Sequence, residues 1–231
     1  MPDSAVLPPL RLQGRSVAAT RLPVDSVMIF LHGLGADASD LFGVAQNFAE
    51  KLPSTYMFVP NAPFPCAMNP QGFQWFDFAD RSETALYKEV KKAASYLNEA
   101  IDYFIKYYKI APSRIVLFGF SQGAMTALHV ALRRDRKLGA VLAYSGALLG
   151  DESTSYEYIS KTPVCLVHGR ADQVVPFSAF EEAKHRLQAA GVPVRGFANQ
   201  TLGHGIDQGG MQIGLRMATE ALAPKSPDHP L

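Results

Sequence analysis

Ser121 stands in the pentapeptide Gly119-Phe120-Ser121-Gln122-Gly123. An apolar run, Ile115-Val116-Leu117-Phe118, precedes it, and helical spacing from Ala124 to Leu132 follows it. A strand that turns into a helix through G-x-S-x-G sets its serine on a sharp, strained corner. The hydroxyl is exposed there, and neighbouring backbone N–H groups point outward. A Cβ at either glycine would crowd the strand–helix crossing. The spacing alone is a weak signal; the strand before and the helix after carry the assignment.

A serine hydroxyl is a poor nucleophile at neutral pH and needs an imidazole to take its proton. The imidazole needs an acceptor on its other nitrogen, which fixes the tautomer and stabilises the imidazolium. His204 and Asp172 suit these two roles and give the chain order Ser121, Asp172, His204. The oxyanion of a tetrahedral intermediate requires preorganised donors. The backbone N–H of Gln122, at the start of a helix, is one candidate, and that of Leu34, in a Gly-flanked loop, is the other. Rivals exist for each role. His32 and His168 end strands before a glycine and read as loop organisers, and His129 and His185 fall within helices. Asp77, Asp151 and Asp207 are alternative acids, with Asp207 placed to cap a helix beginning after His204.

The elements that must position these groups alternate between strand and helix from about 27 to 222. Val27-Met28-Ile29-Phe30-Leu31 is a continuous apolar run, as expected of a strand buried on both faces. A helix follows at 39–50, a strand at 56–59, and then a long irregular loop from Pro60 to Asp80. Its length suggests a binding role. Leu86, Val90, Ala93, Leu97, Ile101 and Phe104 form an apolar stripe that predicts a helix over 83–108. Strands at 115–118, 140–144, 163–167 and 193–197 and helices at 122–133, 177–190 and 206–222 complete the series. Such repetition predicts an α/β domain with a mostly parallel sheet covered by helices on both faces. Four polar segments, beginning at His32, Gly119, His168 and Gly203, follow strands, so all should meet on one edge of that sheet.

Composition bounds the rest. The chain has 231 residues, 48% hydrophobic and 19% charged, with a net charge of +1. One domain over 1–223 is expected, with a polar, Pro-rich and disordered tail at 224–231. The charge offers no footprint for nucleic acid, and no segment reads as a secretory signal or a membrane span. The two cysteines, Cys66 and Cys165, form neither a disulfide scaffold nor a metal site. A cytoplasmic protein that works without metal or organic cofactor is expected. The sequence leaves a homodimer open.

Five blocks carry a family resemblance: Phe30-Leu31-His32-Gly33-Leu34-Gly35, Gln74-Trp75-Phe76-Asp77, Gly119 to Ala124, His168-Gly169 through Pro176, and Gly203-His204. In order and spacing the chain resembles the phospholipase/carboxylesterase family of α/β-hydrolases, which includes acyl-protein thioesterases, from about 25 to 222. The resemblance implies a single-domain α/β-hydrolase without a large cap. It implies Ser121 as nucleophile, Asp172 and His204 as partners, Leu34 and Gln122 as oxyanion donors, and Trp75 as a pocket wall. Phe76, Leu148 and Leu149 are expected beside it, since both their loops should border Ser121. Ser145 to Leu149, and Gly205-Ile206 after His204, depart from the eukaryotic thioesterase branch. They point to a bacterial-type carboxylesterase acting on a small ester of short-to-medium acyl length. Thioesterase or lysophospholipase activity is the alternative, and a silent binding protein on the same fold is the reading from another class.

Overall fold

Strands that are apolar at every position have no face to offer water, so they need cover on both sides. The computed structural model, which describes residues 9–150 and 160–223, supplies that cover. Asp151 and the expected disordered tail at 224–231 lie outside the described residues. In chain order the elements are β1 (Gly14–Val17), β2 (Ser26–Leu31), α1 (Ala38–Lys51), β3 (Thr55–Pro60), β4 (Phe64–Cys66), β5 (Asn69–Gln74) and α2 (Glu83–Tyr108). Then come β6 (Ile115–Phe120), α3 (Gln122–Ala131), β7 (Ala140–Tyr144), β8 (Val164–Gly169), α4 (Phe177–Ala189), β9 (Val194–Asn199) and α5 (Gln208–Leu222).

Seven strands form one sheet in the order β1-β3-β2-β6-β7-β8-β9. All neighbours run parallel except the β1–β3 pair. The pleat sends alternate side chains to opposite faces. Ile29, Leu31, Leu117, Val141 and Leu166 pack beneath α2, α3 and α4. Met28, Phe30, Val116, Phe118, Leu142 and Val167 pack beneath α1 and α5. β6 is the middle strand, with three on either side, so the pentapeptide leaves the most enclosed position in the sheet.

Two features differ from the sequence expectation. β1 was not anticipated: Gly-Arg-Ser-Val is short and largely exposed, so it shows no hydrophobic pattern. Its pairing comes from the free edge of β3. The expected irregular loop at 60–80 contains the β4–β5 hairpin, a separate two-stranded antiparallel sheet. Pro65, Pro70 and Gly72 hide it, since proline and glycine are poor strand residues. Its place is fixed by pairing with the loop after β2 instead: Phe73 N–H donates to the Ala36 carbonyl at 2.8 Å and its carbonyl accepts from Gly35 N–H at 2.9 Å.

His129 lies inside α3, buried against Tyr87, with its Nδ1 unpartnered. Burial, aided by the charges of Arg133 and Lys91, pulls its pKa down to about 3. The folded protein therefore keeps it neutral, while the unfolded chain protonates it near the ordinary value of about 6.5. Stability should be intact above pH ~6.5 and fall as the pH drops from there toward 3. His129→Phe keeps the ring against Tyr87 but cannot titrate. The melting temperature of that variant should depend less steeply on pH between 6 and 4 than the parent's, as calorimetry would read; equal slopes would contradict this account.

Candidate active site

The elbow after β6 begins with sterics. A Cβ on Gly119 would run into the backbone of Ala124, and one on Gly123 into the carbonyls of Leu31 and His32. Glycine at both positions lets α3 start hard against β2 and β6. Ser121 takes up the turn with φ 54° and ψ −118°, a conformation L residues adopt only under strain. Its N–H donates to the Tyr144 carbonyl at 2.9 Å, and its carbonyl accepts from Ala124 and Met125 at 3.0 and 3.1 Å. A serine at an N-cap ordinarily accepts a bond from the first turn. Ser121 occupies the N-cap of α3 and makes no such bond, so its hydroxyl is left for something else.

The loops after β8 and β9 hold the acid and the imidazole. His204 Nδ1–H donates to Asp172 Oδ2 at 2.8 Å, which leaves Nε2 as an acceptor. The Asp172 Oδ1 accepts from the N–H groups of Val174 and Val175 at 2.8 and 2.9 Å. Burial alone would raise the Asp172 carboxyl. The His204 bond and the Val175 and Val174 amides outweigh it and hold the group below the ordinary carboxylate range. The two loops touch directly: Arg170 N–H donates to Asn199 and Ala171 N–H to Leu202, at 2.8 and 3.0 Å. A side chain on Gly169 would occupy the place of the Leu202 and Gly203 carbonyls, so this glycine sets the His204 loop against the acid. The Phe120 ring, next to Ser121, packs 4.9 Å from the His204 ring.

The rival acids are engaged elsewhere. Asp207 caps α5 through Gly210 N–H at 2.7 Å and accepts from Asn199 at 2.6 Å. Asp77 accepts from Ala79 N–H at 3.0 Å. The rival histidines order loops. Ala62 N–H donates to His32 Nε2 at 2.9 Å, so the proton sits on Nδ1, which donates to the Gly33 carbonyl at 2.7 Å. Burial lowers the His32 pKa despite that bond and keeps the ring neutral.

The amides of Leu34, in the loop after β2, and Gln122, in the elbow, donate to no described residue. Gln122 contributes more than its amide. Its Oε1 accepts from Trp75 N–H and its Nε2 donates to the Phe76 carbonyl, both at 2.8 Å. Trp75 Nε1–H donates to the His32 carbonyl at 3.0 Å. These bonds lash the segment leading to α2 onto both the elbow and the loop after β2. The sequence reading missed the Gln122 clamp, because a buried amide carries no pattern of its own.

Ser121, His204, Leu34 and Gln122 line one cavity of about 350 Å³. Leu41, Met68, Phe78, Met125, Val174 and Val175 supply its apolar wall, with Asp40 and Arg81 adding charge. Four expected wall residues are not among its lining. Trp75 and Phe76 are fully buried, because the Gln122 and His32 bonds draw them under the site. Leu148 and Leu149 pack into the core cluster beneath α3 and α4, where Arg186 of α4 donates to the carbonyls of Leu148 and Gly150. Val174 and Val175 were within reach of the sequence, since they flank Asp172. Met125 was too, one helical turn beyond Ser121. Among the described residues no three His, Cys, Asp or Glu side chains converge as metal ligands.

Comparison with known proteins adds four findings. A profile of the phospholipase/carboxylesterase family matches residues 12–217. Esterase YpfH of Escherichia coli (strain K12) is 26% identical over 193 residues, 84% of this chain and 82% of that protein. Acyl-protein thioesterase 1 of Debaryomyces hansenii is 31% identical over 194 residues, 76% of this chain and 82% of that protein. The crystal structure of esterase PE8 superposes with a TM-score of 0.86 at 34% identity, covering 91% of this chain and 99% of that one.

The geometry separates Asp172 from Asp207. Asp172→Asn should disturb the imidazole tautomer and cost up to ~10⁴ in kcat. Asp207→Ala removes a helix cap and should cost about 1 kcal/mol of stability with kcat reduced less than tenfold. Steady-state kinetics and denaturant titration of both variants test this; the opposite ranking in kcat contradicts the placement.

Proposed function

The chain belongs to the phospholipase/carboxylesterase family and is a hydrolase with the α/β-hydrolase fold, and from that premise we propose that Ser121 cleaves carboxylic esters through an acyl-serine intermediate. The observation that carries this is the Ser121 hydroxyl at an N-cap it does not cap, sharing a cavity with His204. His204, held by Asp172 through Nδ1, takes the serine proton on Nε2 as Oγ attacks the carbonyl carbon. The N–H groups of Leu34 and Gln122 receive the developing oxyanion. The imidazolium then protonates the leaving alcohol, and a water activated by the same imidazole releases the acid. Every group comes from one chain, so a homodimer adds nothing the chemistry requires. The segment 1–223 acts as one catalytic domain, and two unpaired buried cysteines suit a reducing compartment such as the cytoplasm.

The cavity supports a short-to-medium acyl group. At about 350 Å³ it is near the lower end for ligand pockets, and its apolar wall rewards each buried methylene by about 0.8 kcal/mol, roughly fourfold in binding. That gain stops once the chain emerges past Met68 and Val174, both largely exposed. A thioester of the same acyl length meets the same serine and the same donors, and the thioesterase among the relatives favours keeping it as the second reading.

Three measurements follow. Ser121→Ala should lose at least several orders of magnitude in kcat with its fold intact; undiminished turnover would sink the mechanism. Along p-nitrophenyl esters from acetate upward, kcat/KM should rise and then level or fall. Phe78→Ala should flatten the rise while sparing acetate, whereas a profile still climbing at palmitoyl would place the acyl group elsewhere. Trp75→Ala, which empties a fully buried site, should instead destabilise the protein by about 3–5 kcal/mol.

A further inference from the structure

His168 is the penultimate residue of β8, four residues before Asp172, and is buried, 2% exposed in its side chain. Its Nε2 lies 2.9 Å from the Val175 carbonyl, which can only accept, so the proton is on Nε2. The same nitrogen is 3.4 Å from Asp172 Oδ2, the oxygen that takes the bond from His204. The Val175 N–H meanwhile donates to Asp172 Oδ1. His168 thus anchors Val175, whose N–H in turn holds Asp172 Oδ1, and its Nε2 stands beside Oδ2 without a hydrogen bond to it. Phe177 and Phe180 of α4, stacked on each other at 5.0 Å, pack against the imidazole.

We propose that His168 is a positioning residue for Asp172, binding the acid to the cavity wall at Val175 so that the carboxylate presents one fixed oxygen to His204. This rests on the Ser121, Asp172 and His204 mechanism. Without that anchor, Asp172 Oδ1 keeps its two amides, but the loop that carries them loses its tie at the Val175 carbonyl. It is then held at its start, through Asp172 N–H to Gly169 and the bonds of Arg170 and Ala171. The carboxylate then wanders relative to His204, and so does the imidazole that faces Ser121. Such misplacement lowers the rate of the chemical step rather than substrate affinity. His168 touches neither substrate nor the reacting atoms in this scheme.

The test compares His168→Leu, which fills the space without a donor, with His168→Gln, whose terminal amide N–H stands near the position of Nε2. His168→Leu should lower kcat about 10- to 100-fold, well short of the ~10⁴ expected from disabling the acid itself, and leave KM within twofold. His168→Gln should recover most of the loss in kcat. If the Leu variant does not fold, His168→Asn replaces it, since its shorter amide falls short of the Val175 carbonyl and should lose kcat alike. A fluorophosphonate label on the parent, located by peptide mass, accompanies the kinetics. Labelling at Ser121 with kcat unchanged in the Leu or Asn variant overturns the positioning role. Equal loss in the Gln and Leu variants also overturns it, as a packing role alone would give that. A parent labelled elsewhere than Ser121 overturns the underlying mechanism and this proposal with it.

Discussion

The crossing of β6 into α3 constrains the rest of the site. Backbone there packs on backbone at Gly119 and Gly123, without a side chain between. The chain can pass from strand to helix in so little space only if one residue accepts a left-handed φ, and Ser121 is that residue. The strain is held because the surroundings overdetermine it: three backbone bonds to Tyr144, Ala124 and Met125, and a buried strand on either side. The same geometry withdraws the hydroxyl from the helix it would otherwise cap and leaves the Gln122 amide open. On the proposed mechanism, nucleophile and oxyanion donor therefore come from one strained turn.

Everything else is arranged to meet that turn at fixed distance. Parallel strands bring the loops after β2, β8 and β9 to the same edge. Each loop is then tied to another rather than left to its own conformation. The loop after β2 pairs with the β4–β5 hairpin, and Gln122 holds the segment after that hairpin. The acid loop hydrogen-bonds the His204 loop through backbone as well as through the Asp172 and His204 side chains. Such cross-bracing limits how far the side chains can wander, which isolated surface loops do not achieve.

The fold was legible wherever residues repeat with a physical period. The stripe from Leu86 to Phe104 fixed α2, and continuous apolar runs marked the buried strands. Where chemistry restricts the residue type the sequence offered Ser121, Asp172 and His204 as candidates, and the fold brings the three together at one edge of the sheet. What escaped depends on contacts distant in sequence. β1 and the β4–β5 hairpin are strands because a partner edge is available, not because their residues favour extension. Trp75 looked like a pocket wall from its loop, yet a hydrogen bond to His32, 43 residues away, turns it into the core. Sequence spacing announces which groups can react; burial decides which apolar groups face the reactant.

The central claim is that an acyl group passes through Ser121 Oγ. Rapid quenching of the enzyme into acid a few milliseconds after mixing with p-nitrophenyl butyrate, followed by peptide mass analysis, tests it most directly. The account predicts a butyryl mass on the peptide holding Ser121, appearing with a p-nitrophenol burst no larger than the enzyme concentration and absent from Ser121→Ala. A butyryl group on another residue, or steady turnover with Ser121 unmodified at every quench time under conditions where acylation outpaces release, would contradict it.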